Sequence, residues 1–289
     1  MTVIVTGAAG FIGSHLRRAL ESEGEIICCD ITDDDMAGPY RCFHLLRDRS
    51  NDIECVYHLG AMSSTTETNI SALTENNIQL SATLMDICIE RAIPFVYASS
   101  ASIYGLGDAP FAENSIPSPL NYYAISKTAV DMYAQQKIHD HPGAKIYGLR
   151  YFNVYGTGED HKGNMASPVH KFLQQAALTN EIQIFEGSSG FSRDFIHVSD
   201  VVSITLAAPN FPAPGIYNVG TGISRSFQDV ADIISTLTGA KIREIAFPPH
   251  LKGKYQAFTQ SDNLRINAAG YPIKRLSLEE GITEVFNGS

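Results

Sequence analysis

Short apolar runs rich in β-branched residues alternate with longer amphipathic segments through the first half of this 289-residue chain. Helical periodicity is clearest over 14–23 and 76–91. Strands that are apolar on both faces and alternate with helices form a parallel sheet with helices on both sides. We therefore predict an α/β fold with a doubly wound parallel sheet. The predicted strands are Val3–Thr6, Glu25–Asp30, Glu54–Leu59, Phe95–Ser99 and Lys145–Val154.

One connection between the predicted strands is too short for this pattern. We place a further strand, the third of the sheet, near Cys42–Leu46, and only 48–53 separates it from the next one. A parallel crossover usually needs about 10–12 residues. The sequence therefore predicts that the crossover helix is missing here or reduced to a turn.

A glycine-rich loop, Gly7-Ala8-Ala9-Gly10-Phe11-Ile12-Gly13, follows the first strand and opens the first helix. In such a loop the first glycine makes the turn, the second lets backbone N–H groups approach a pyrophosphate, and the third lets the helix pack on the strand. Asp30 ends the second strand 20 residues after Gly10. A carboxylate there can accept both hydroxyl groups of an adenosine ribose. This context predicts a Rossmann-type dinucleotide site rather than a purely structural turn.

The residues after Asp30 bear on which dinucleotide binds. Ile31-Thr32-Asp33-Asp34-Asp35 follows, and the next cation is Arg41. A 2′-phosphate needs a nearby Arg or Lys and would be repelled by carboxylates. The local charges favour NAD, with NADP as the alternative.

The chain becomes irregular after Gly156. A glycine-containing loop leads to a helix over 168–177, a strand over 182–186 and a return segment, and Pro209, Pro212 and Pro214 mark a linker. We predict a dinucleotide-binding domain over 1–156, with a return segment near 191–219. Residues 157–190 and 220–289 are predicted to form a smaller, discontinuous α/β lobe that binds the substrate.

Charge and cysteine content exclude several classes of protein. The chain has 21 Lys and Arg against 31 Asp and Glu, and no basic run. Sequence-independent binding to nucleic acid or to an anionic membrane needs clustered cations, so we expect neither partner. Five scattered cysteines without a CxxC pair predict reduced core thiols and no metal site. We expect a cytoplasmic homo-oligomer.

Tyr123 and Lys127 have the spacing of a catalytic pair. They lie i, i+4 on a predicted helix over 122–137, so both face the same side. A phenol is a poor base at neutral pH, but a neighbouring ammonium group and an oxidised nicotinamide favour phenolate. Serines at the end of the strand over 95–99 can hold the reacting oxygen. This order of elements predicts acid/base chemistry beside the dinucleotide.

With these motifs the chain resembles the extended short-chain dehydrogenase/reductases that act on nucleotide sugars, the NAD-dependent epimerases and dehydratases. The resemblance covers nearly the whole chain and implies that Ser100, followed by Ala101-Ser102-Ile103-Tyr104-Gly105, supplies the catalytic hydroxyl. It implies that the following residues contact the cofactor: Gly7, Gly10, Phe11, Ile12, Gly13, Asp30, Leu59, Gly60, Ala61, Asn76, Tyr123, Lys127 and Val154.

Less common stretches are similar to one branch of this family, the ADP-glycero-manno-heptose 6-epimerases. These stretches include His161-Lys162-Gly163-Asn164-Met165-Ala166-Ser167 and Leu251-Lys252-Gly253-Lys254-Tyr255-Gln256-Ala257-Phe258-Thr259-Gln260. The resemblance implies transient oxidation at C6, with Tyr123 and Lys162 as acid/bases on opposite sides of the carbon, in a pathway such as lipopolysaccharide biosynthesis. The implied contacts to the nucleotide-diphospho-sugar are Ser63, Asn153, Asn164, Phe185, Glu186, Gly187, Ser188, Arg193 and Tyr255.

Two departures concern the adenosine end of the cofactor. The family's lysine after the second strand has no counterpart, and Leu45 stands where an acidic residue is usual. The alternatives within the family are a UDP-hexose 4-epimerase and a nucleotide-sugar reductase, which do not need Lys162. A 4,6-dehydratase needs an Asp-Glu pair where this chain has Ala101-Ser102. Outside the enzymes, a dinucleotide-sensing binding protein is the alternative.

Overall fold

Six parallel strands form the central sheet of the protein. The computed structural model describes residues 2–30, 41–48, 52–248, 257–270 and 275–288. The sheet strands are β1 (Thr2–Thr6), β2 (Glu25–Cys29), β3 (Ile53–His58), β4 (Phe95–Ser100), β5 (Ile146–Tyr151) and β9 (Gly215–Val219). Their order in the sheet is β2-β1-β3-β4-β5-β9. All but the edge strand β2 are buried along most of their length, as expected for a sheet covered on both faces.

Helices connect these strands and cover both faces of the sheet. The helices are α1 (Phe11–Leu20), α2 (Arg41–Asp48), α3 (Ile70–Leu73), α4 (Leu80–Glu90), α5 (Tyr122–Asp140), α6 (Pro168–Thr179), α7 (Val198–Ala207), α8 (Phe227–Thr238), α9 (Leu264–Ala268) and α10 (Leu278–Asn287). One apolar cluster packs α1 and α7 against the sheet, and a second packs α4 and α5 against the opposite face. The predicted Rossmann-type doubly wound sheet is therefore confirmed.

The prediction of a third strand near Cys42–Leu46 is wrong. This segment lies in α2, and β2 connects through it across β1 to β3. Cys42 and Leu46 are both buried, whereas His44 and Arg47 are exposed, so burial follows the i, i+4 period of a helix. The crossover helix is therefore present. Among the described residues, the predicted strand near 42–46 is absent.

The expectation that all five cysteines are reduced is also corrected. Cys29, at the end of β2, and Cys42, in the first turn of α2, are paired as a disulfide, and both are buried. Their positions are 13 residues apart in sequence, on the two sides of the segment that follows Asp30. Cys28, Cys55 and Cys88 are free.

The single strand predicted over 145–154 divides in two at Phe152. β5 ends at Tyr151, and β6 (Asn153–Tyr155) leaves the central sheet to pair with β8 (Ser192–His197). β10 (Ser224–Ser226) pairs antiparallel with β8 on its other side. The chain is thereby directed away from the central sheet immediately after the end of β5.

A third apolar cluster lies in the second half of the chain. It contains buried residues of α6, α8 and α10 and of β7 (Glu181–Phe185), which pairs in parallel with β11 (Lys241–Ile245). Tyr155 and Phe195 extend this cluster to β6 and β8. The domain boundaries at 156, 191 and 219 stay a prediction. β8, in the predicted return segment, pairs with β6 of the predicted dinucleotide-binding domain and with β10 of the predicted substrate lobe. Within the described ranges, no helix combines the length and the apolar character needed to cross a membrane.

Candidate active site

The glycine loop forms a cradle at the carboxyl end of β1. Gly7 has φ +68°, and a Cβ on it would lie 2.6 Å from the backbone of Gly60, in the loop after β3. A Cβ on Gly13 would overlap the carbonyl oxygen of Gly7, so α1 can approach the loop only without a side chain there. These contacts explain why glycine is required at both positions. The loop leaves backbone N–H groups at the start of α1 for an anion.

Asp30 lies against this cradle. Its Oδ2 accepts a hydrogen bond from the backbone N–H of Ala9 at 2.9 Å, which joins the end of β2 to the glycine loop. Leu59 and Gly60 donate backbone hydrogen bonds to Thr6, the last residue of β1. A side-chain-free cradle with a carboxylate beside it fits the pyrophosphate and ribose of a dinucleotide.

Ser100, Tyr123 and Lys127 come together at the carboxyl end of β4. The hydroxyl of Ser100 accepts a hydrogen bond from the N–H of Ser102 at 3.2 Å and lies close enough to Tyr123 to lower its pKa. Lys127 is 4% exposed, donates a hydrogen bond to the carbonyl oxygen of Ala98 at 2.8 Å, and has its Nζ 6.0 Å from the centre of the Tyr123 ring. Asn121 caps α5 by accepting a hydrogen bond from the N–H of Ala124, so the helix begins immediately before the pair.

Burial and charge act in opposite directions on this cluster. Burial lowers the pKa of Lys127 to about 8, and attraction by Asp131 partly opposes this shift. Burial raises the pKa of Tyr123, while the nearby hydroxyl of Ser100 lowers it. Lys127 can therefore change its protonation state near pH 8.

Asn77 is a site residue that the sequence did not indicate. It is completely buried on a π-helical turn over Thr74–Gln79, accepts a hydrogen bond from the N–H of Met62, and donates to Met62 O and to Ser126 Oγ. It ties the loop after β3 to the helix that carries Tyr123. The predicted residue, Asn76, donates to the carbonyl oxygen of Ala72 at 2.8 Å and to Met62 Sδ at 3.7 Å. π-Turns are frequent at functional sites, but no local sequence pattern marks them.

His58 has a structural role, as the pattern of an apolar strand suggests. Its two ring nitrogens bond to Thr6 Oγ1 at 2.7 Å and to Ser81 Oγ at 2.8 Å. Burial lowers the pKa of His58 to about 3, and the positive charge of Lys127 adds to this effect. The ring therefore stays neutral beneath the site.

Lys162 lies on a short helical segment, Asp160–Met165, and points to the glycine loop. Its Nζ lies 4.6 Å from the centre of the Phe11 ring and 2.7 Å from Glu159 Oε2, and its side chain is 23% exposed. Phe11 is the first residue of α1. The predicted lysine is thus held beside the first residue of α1, and its side chain is partly exposed.

The remaining predicted substrate contacts occupy three places. Asn153 is in β6, which follows β5 at the same edge of the sheet, next to Val154, a predicted cofactor contact. Phe185 ends β7, and Gly187 turns the chain with φ +79°. Arg193 in β8 is buried, with its guanidinium 5.5 Å from the centre of the Phe227 ring. An ion pair with its neighbour Asp194 was the alternative, but that carboxylate accepts its hydrogen bonds from Thr221, Gly222 and Ser261.

Three other predicted substrate contacts are exposed or lie outside the described residues. Ser63 and Asn164 are exposed, and Tyr255 lies outside the described residues. Ser188 is buried, and its hydroxyl donates to the carbonyl oxygen of Phe185. Across the described ranges, no three His, Cys, Asp or Glu side chains are grouped to hold a metal ion.

Similarity to solved structures extends over nearly the whole chain. A UDP-glucose 4-epimerase from the hyperthermophilic eubacterium Thermotoga maritima, solved with UDP-glucose, is 28% identical, with a TM-score of 0.86 and coverage of 99% of this chain and 98% of that one. The ADP-L-glycero-D-manno-heptose-6-epimerase of Helicobacter pylori is 27% identical, with a TM-score of 0.83 and coverage of 99% and 95%. A UDP-glucose 4-epimerase from Thermus thermophilus, solved with NAD, is also 27% identical, with a TM-score of 0.83 and coverage of 99% and 98%.

The family comparison agrees with the geometry of the cradle and of the Ser100–Tyr123–Lys127 cluster. A model of the NAD dependent epimerase/dehydratase family matches residues 3–220. The predicted use of NAD is confirmed at the level of this family. The chain belongs to the NAD dependent epimerase/dehydratase family.

Proposed function

We propose that this protein is an ADP-glycero-manno-heptose 6-epimerase that inverts C6 by transient oxidation. The observation that carries the proposal is the position of Lys162, whose ammonium group lies over the ring of Phe11, the first residue of α1. Similarity to the H. pylori heptose epimerase supports the choice of substrate. A 4-epimerase with only one acid/base would not need a lysine at this place.

One strand lies between the two strands whose ends carry the neighbours of the proposed acid/bases. Phe11 follows the end of β1 and Ser100 ends β4, with β3 between these strands. Strands lie about 4.8 Å apart, so the ends of β1 and β4 are separated by roughly 10 Å along the sheet edge. We place the sugar ring in this interval, between Tyr123 and Lys162.

On one side, Tyr123 takes the proton of the sugar hydroxyl. Ser100 holds the oxygen by its hydroxyl, and Lys127, next to the ring, stabilises the phenolate electrostatically. After the sugar has presented its other face, the Lys162 ammonium donates a proton to the oxygen on the opposite side. The reverse reaction uses the same two groups in the opposite order.

The cradle residues are proposed to hold NAD. Gly7, Gly10 and Gly13 would lie against the pyrophosphate, and Asp30 would accept the ribose hydroxyls; Leu59, Gly60, Ala61, Asn76 and Val154 would complete the contact. When bound, NAD supplies a reversible hydride acceptor. The proposed substrate contacts are Asn153, Asn164, the turn over 185–188, Arg193, whose guanidinium can clamp a diphosphate, and Tyr255.

A direct test is to incubate the purified protein with ADP-heptose and, separately, with UDP-galactose, and to follow the sugar by NMR. We expect inversion at C6 of the heptose and no change in UDP-galactose. The second candidate, a UDP-hexose 4-epimerase, is favoured by the similarity to the T. maritima enzyme. Inversion of UDP-galactose at C4 without turnover of ADP-heptose would replace the first proposal by the second. Turnover of neither sugar would support a binding protein.

A further inference from the structure

Glu159 is a completely buried carboxylate one turn before Lys162. We propose that Glu159 is a positioning residue, which holds the Lys162 ammonium group in the orientation from which it donates its proton to the sugar oxygen. This inference rests on the proposed function, because it concerns the second of the two acid/bases.

Three hydrogen bonds fix the carboxylate of Glu159 independently of the lysine. Oε1 accepts from Ser167 Oγ at 2.6 Å and from the N–H of Gly156 at 3.3 Å, and Oε2 accepts from the N–H of Ser167 at 2.7 Å. Ser167 is itself the N-cap of α6, where its hydroxyl accepts from the N–H of His170. The carboxylate is therefore attached both to the end of β6 and to the start of α6.

The remaining lone pair of Oε2 accepts from Lys162 Nζ at 2.7 Å. A lysine side chain otherwise has four rotatable bonds and loses much rotamer entropy when it is ordered. Glu159 on one side and the face of Phe11 on the other fix the direction of the ammonium group. The bond to a buried, anchored carboxylate supplies the rigidity that a loop lysine lacks.

The Glu159 carboxylate also offsets the positive charges near Lys162. Lys171 on α6 donates to Asn164 O, and both Glu159 and Lys162 interact with it electrostatically, Glu159 by attraction and Lys162 by repulsion. The pair of His170 and Asp160, 3.8 Å apart, lies at the outer side of the segment. Without Glu159, the ammonium groups of Lys162 and Lys171 would repel each other without the attraction of this carboxylate.

Glu159 itself exchanges no proton in the proposed step. The proton moves from Lys162 Nζ to the oxygen of the sugar carbon, which leaves a neutral amine and a completed hydroxyl group. In the reverse direction the amine takes that proton back. Glu159 keeps its three anchoring bonds throughout, so the amine stays in place when its charge changes.

The test uses the two C6 epimers of the ADP-heptose, supplied separately in single turnovers. The reduction of the bound nicotinamide is followed by its near-ultraviolet absorbance. Each epimer presents its hydroxyl to one acid/base, so Lys162→Met should slow reduction by one epimer and Tyr123→Phe by the other. We expect Glu159→Gln to slow the same epimer as Lys162→Met by about 10- to 100-fold, as for the loss of a hydrogen bond between charged groups. The rate with the other epimer should change less than about twofold.

Two further variants separate positioning from support of the fold. Ser167→Ala removes the α6 cap and one of the three bonds that anchor Glu159 but leaves the contact of Glu159 with Lys162, so it should slow the same epimer as Glu159→Gln by a smaller factor. Asp160→Asn makes the same change of charge at the adjacent, largely exposed position and should leave both rates unchanged. If Glu159→Gln does not fold, Glu159→Asp keeps the charge but withdraws it from Nζ, and the same epimer should be affected.

Equal slowing of both epimers by Glu159→Gln, or no slowing of either, would overturn this inference while Lys162→Met still distinguishes the epimers. If Lys162→Met itself slows both epimers equally or neither, the proposed role of Lys162 fails instead. Measurement of the thermal unfolding midpoint of every variant shows whether an equal effect comes from loss of stability.

Discussion

At the scale of single residues, Tyr123 is the group whose removal tests the chemistry most simply. Tyr123→Phe keeps the ring beside Lys127 and removes only the hydroxyl that lies close to Ser100. We expect kcat to fall by about 10²- to 10⁴-fold, as for loss of a general acid/base, with substrate affinity nearly unchanged. Steady-state kinetics and equilibrium binding measure the two effects. Tyr122→Phe, at the exposed neighbouring position, is the matched control; a main effect on affinity would assign Tyr123 to binding.

Lys127 makes the stability of the fold depend on pH. Its pKa is lowered to about 8 in the folded protein, so between about pH 8 and its ordinary value of 10.5 the unfolded chain binds more protons, and the folded state gains stability as the pH rises. Below pH 8 the buried charge destabilises the fold. In urea unfolding, the free energy of unfolding of Lys127→Met minus that of the wild type should therefore decrease from pH 6.5 to pH 10. A difference that stays constant would contradict the lowered pKa.

At the scale of elements, the close approach of α1 to β1 depends on Gly13. Gly13→Ala places a methyl group in overlap with Gly7 O, so the helix must move away from the cradle. We expect a loss of about 1–3 kcal/mol in the free energy of unfolding, typical of overpacking, together with weaker NAD binding by calorimetry. At Gly143 a Cβ meets nothing within 4 Å, so Gly143→Ala should change neither quantity. Normal NAD binding by Gly13→Ala would contradict the placement of the pyrophosphate.

The strand–helix alternation was sufficient to predict five of the central strands and the glycine cradle, because each has a pattern of its own. α2 could not be predicted, since a short apolar segment fits a strand and a helix equally well and only burial of both Cys42 and Leu46 separates them. Cys29 and Cys42 pair because β2 and α2 bring them together, and no spacing rule indicates that. The burial of Asn77 could not be predicted, because its neighbour Asn76 has the same side chain and only the π-turn decides which of them is buried.

At the scale of the whole molecule, Asp194 joins segments that are far apart in sequence. Its buried carboxylate accepts five hydrogen bonds, from Thr221, Gly222 and Ser261. Such long-range bonds have no sequence signature. The sequence suggested Asp194 only as an ion-pair partner of Arg193. We expect Asp194→Ala to lower the free energy of unfolding by more than about 3 kcal/mol, because several buried donors lose their acceptor. Asp232→Ala, on the exposed side of α8, should change it by less than about 0.5 kcal/mol in denaturant unfolding.

The central claim concerns the path of one hydrogen atom. If Tyr123 and Lys162 move only the hydroxyl proton, the hydrogen bonded to the sugar carbon must leave as hydride and return to the same carbon without meeting solvent. The most direct measurement is therefore epimerisation of ADP-heptose in D₂O, with the product analysed by NMR and mass spectrometry. The account predicts inverted sugar that carries no deuterium at C6. Deuterium at the inverted carbon would show that it is deprotonated and reprotonated, and would contradict the account.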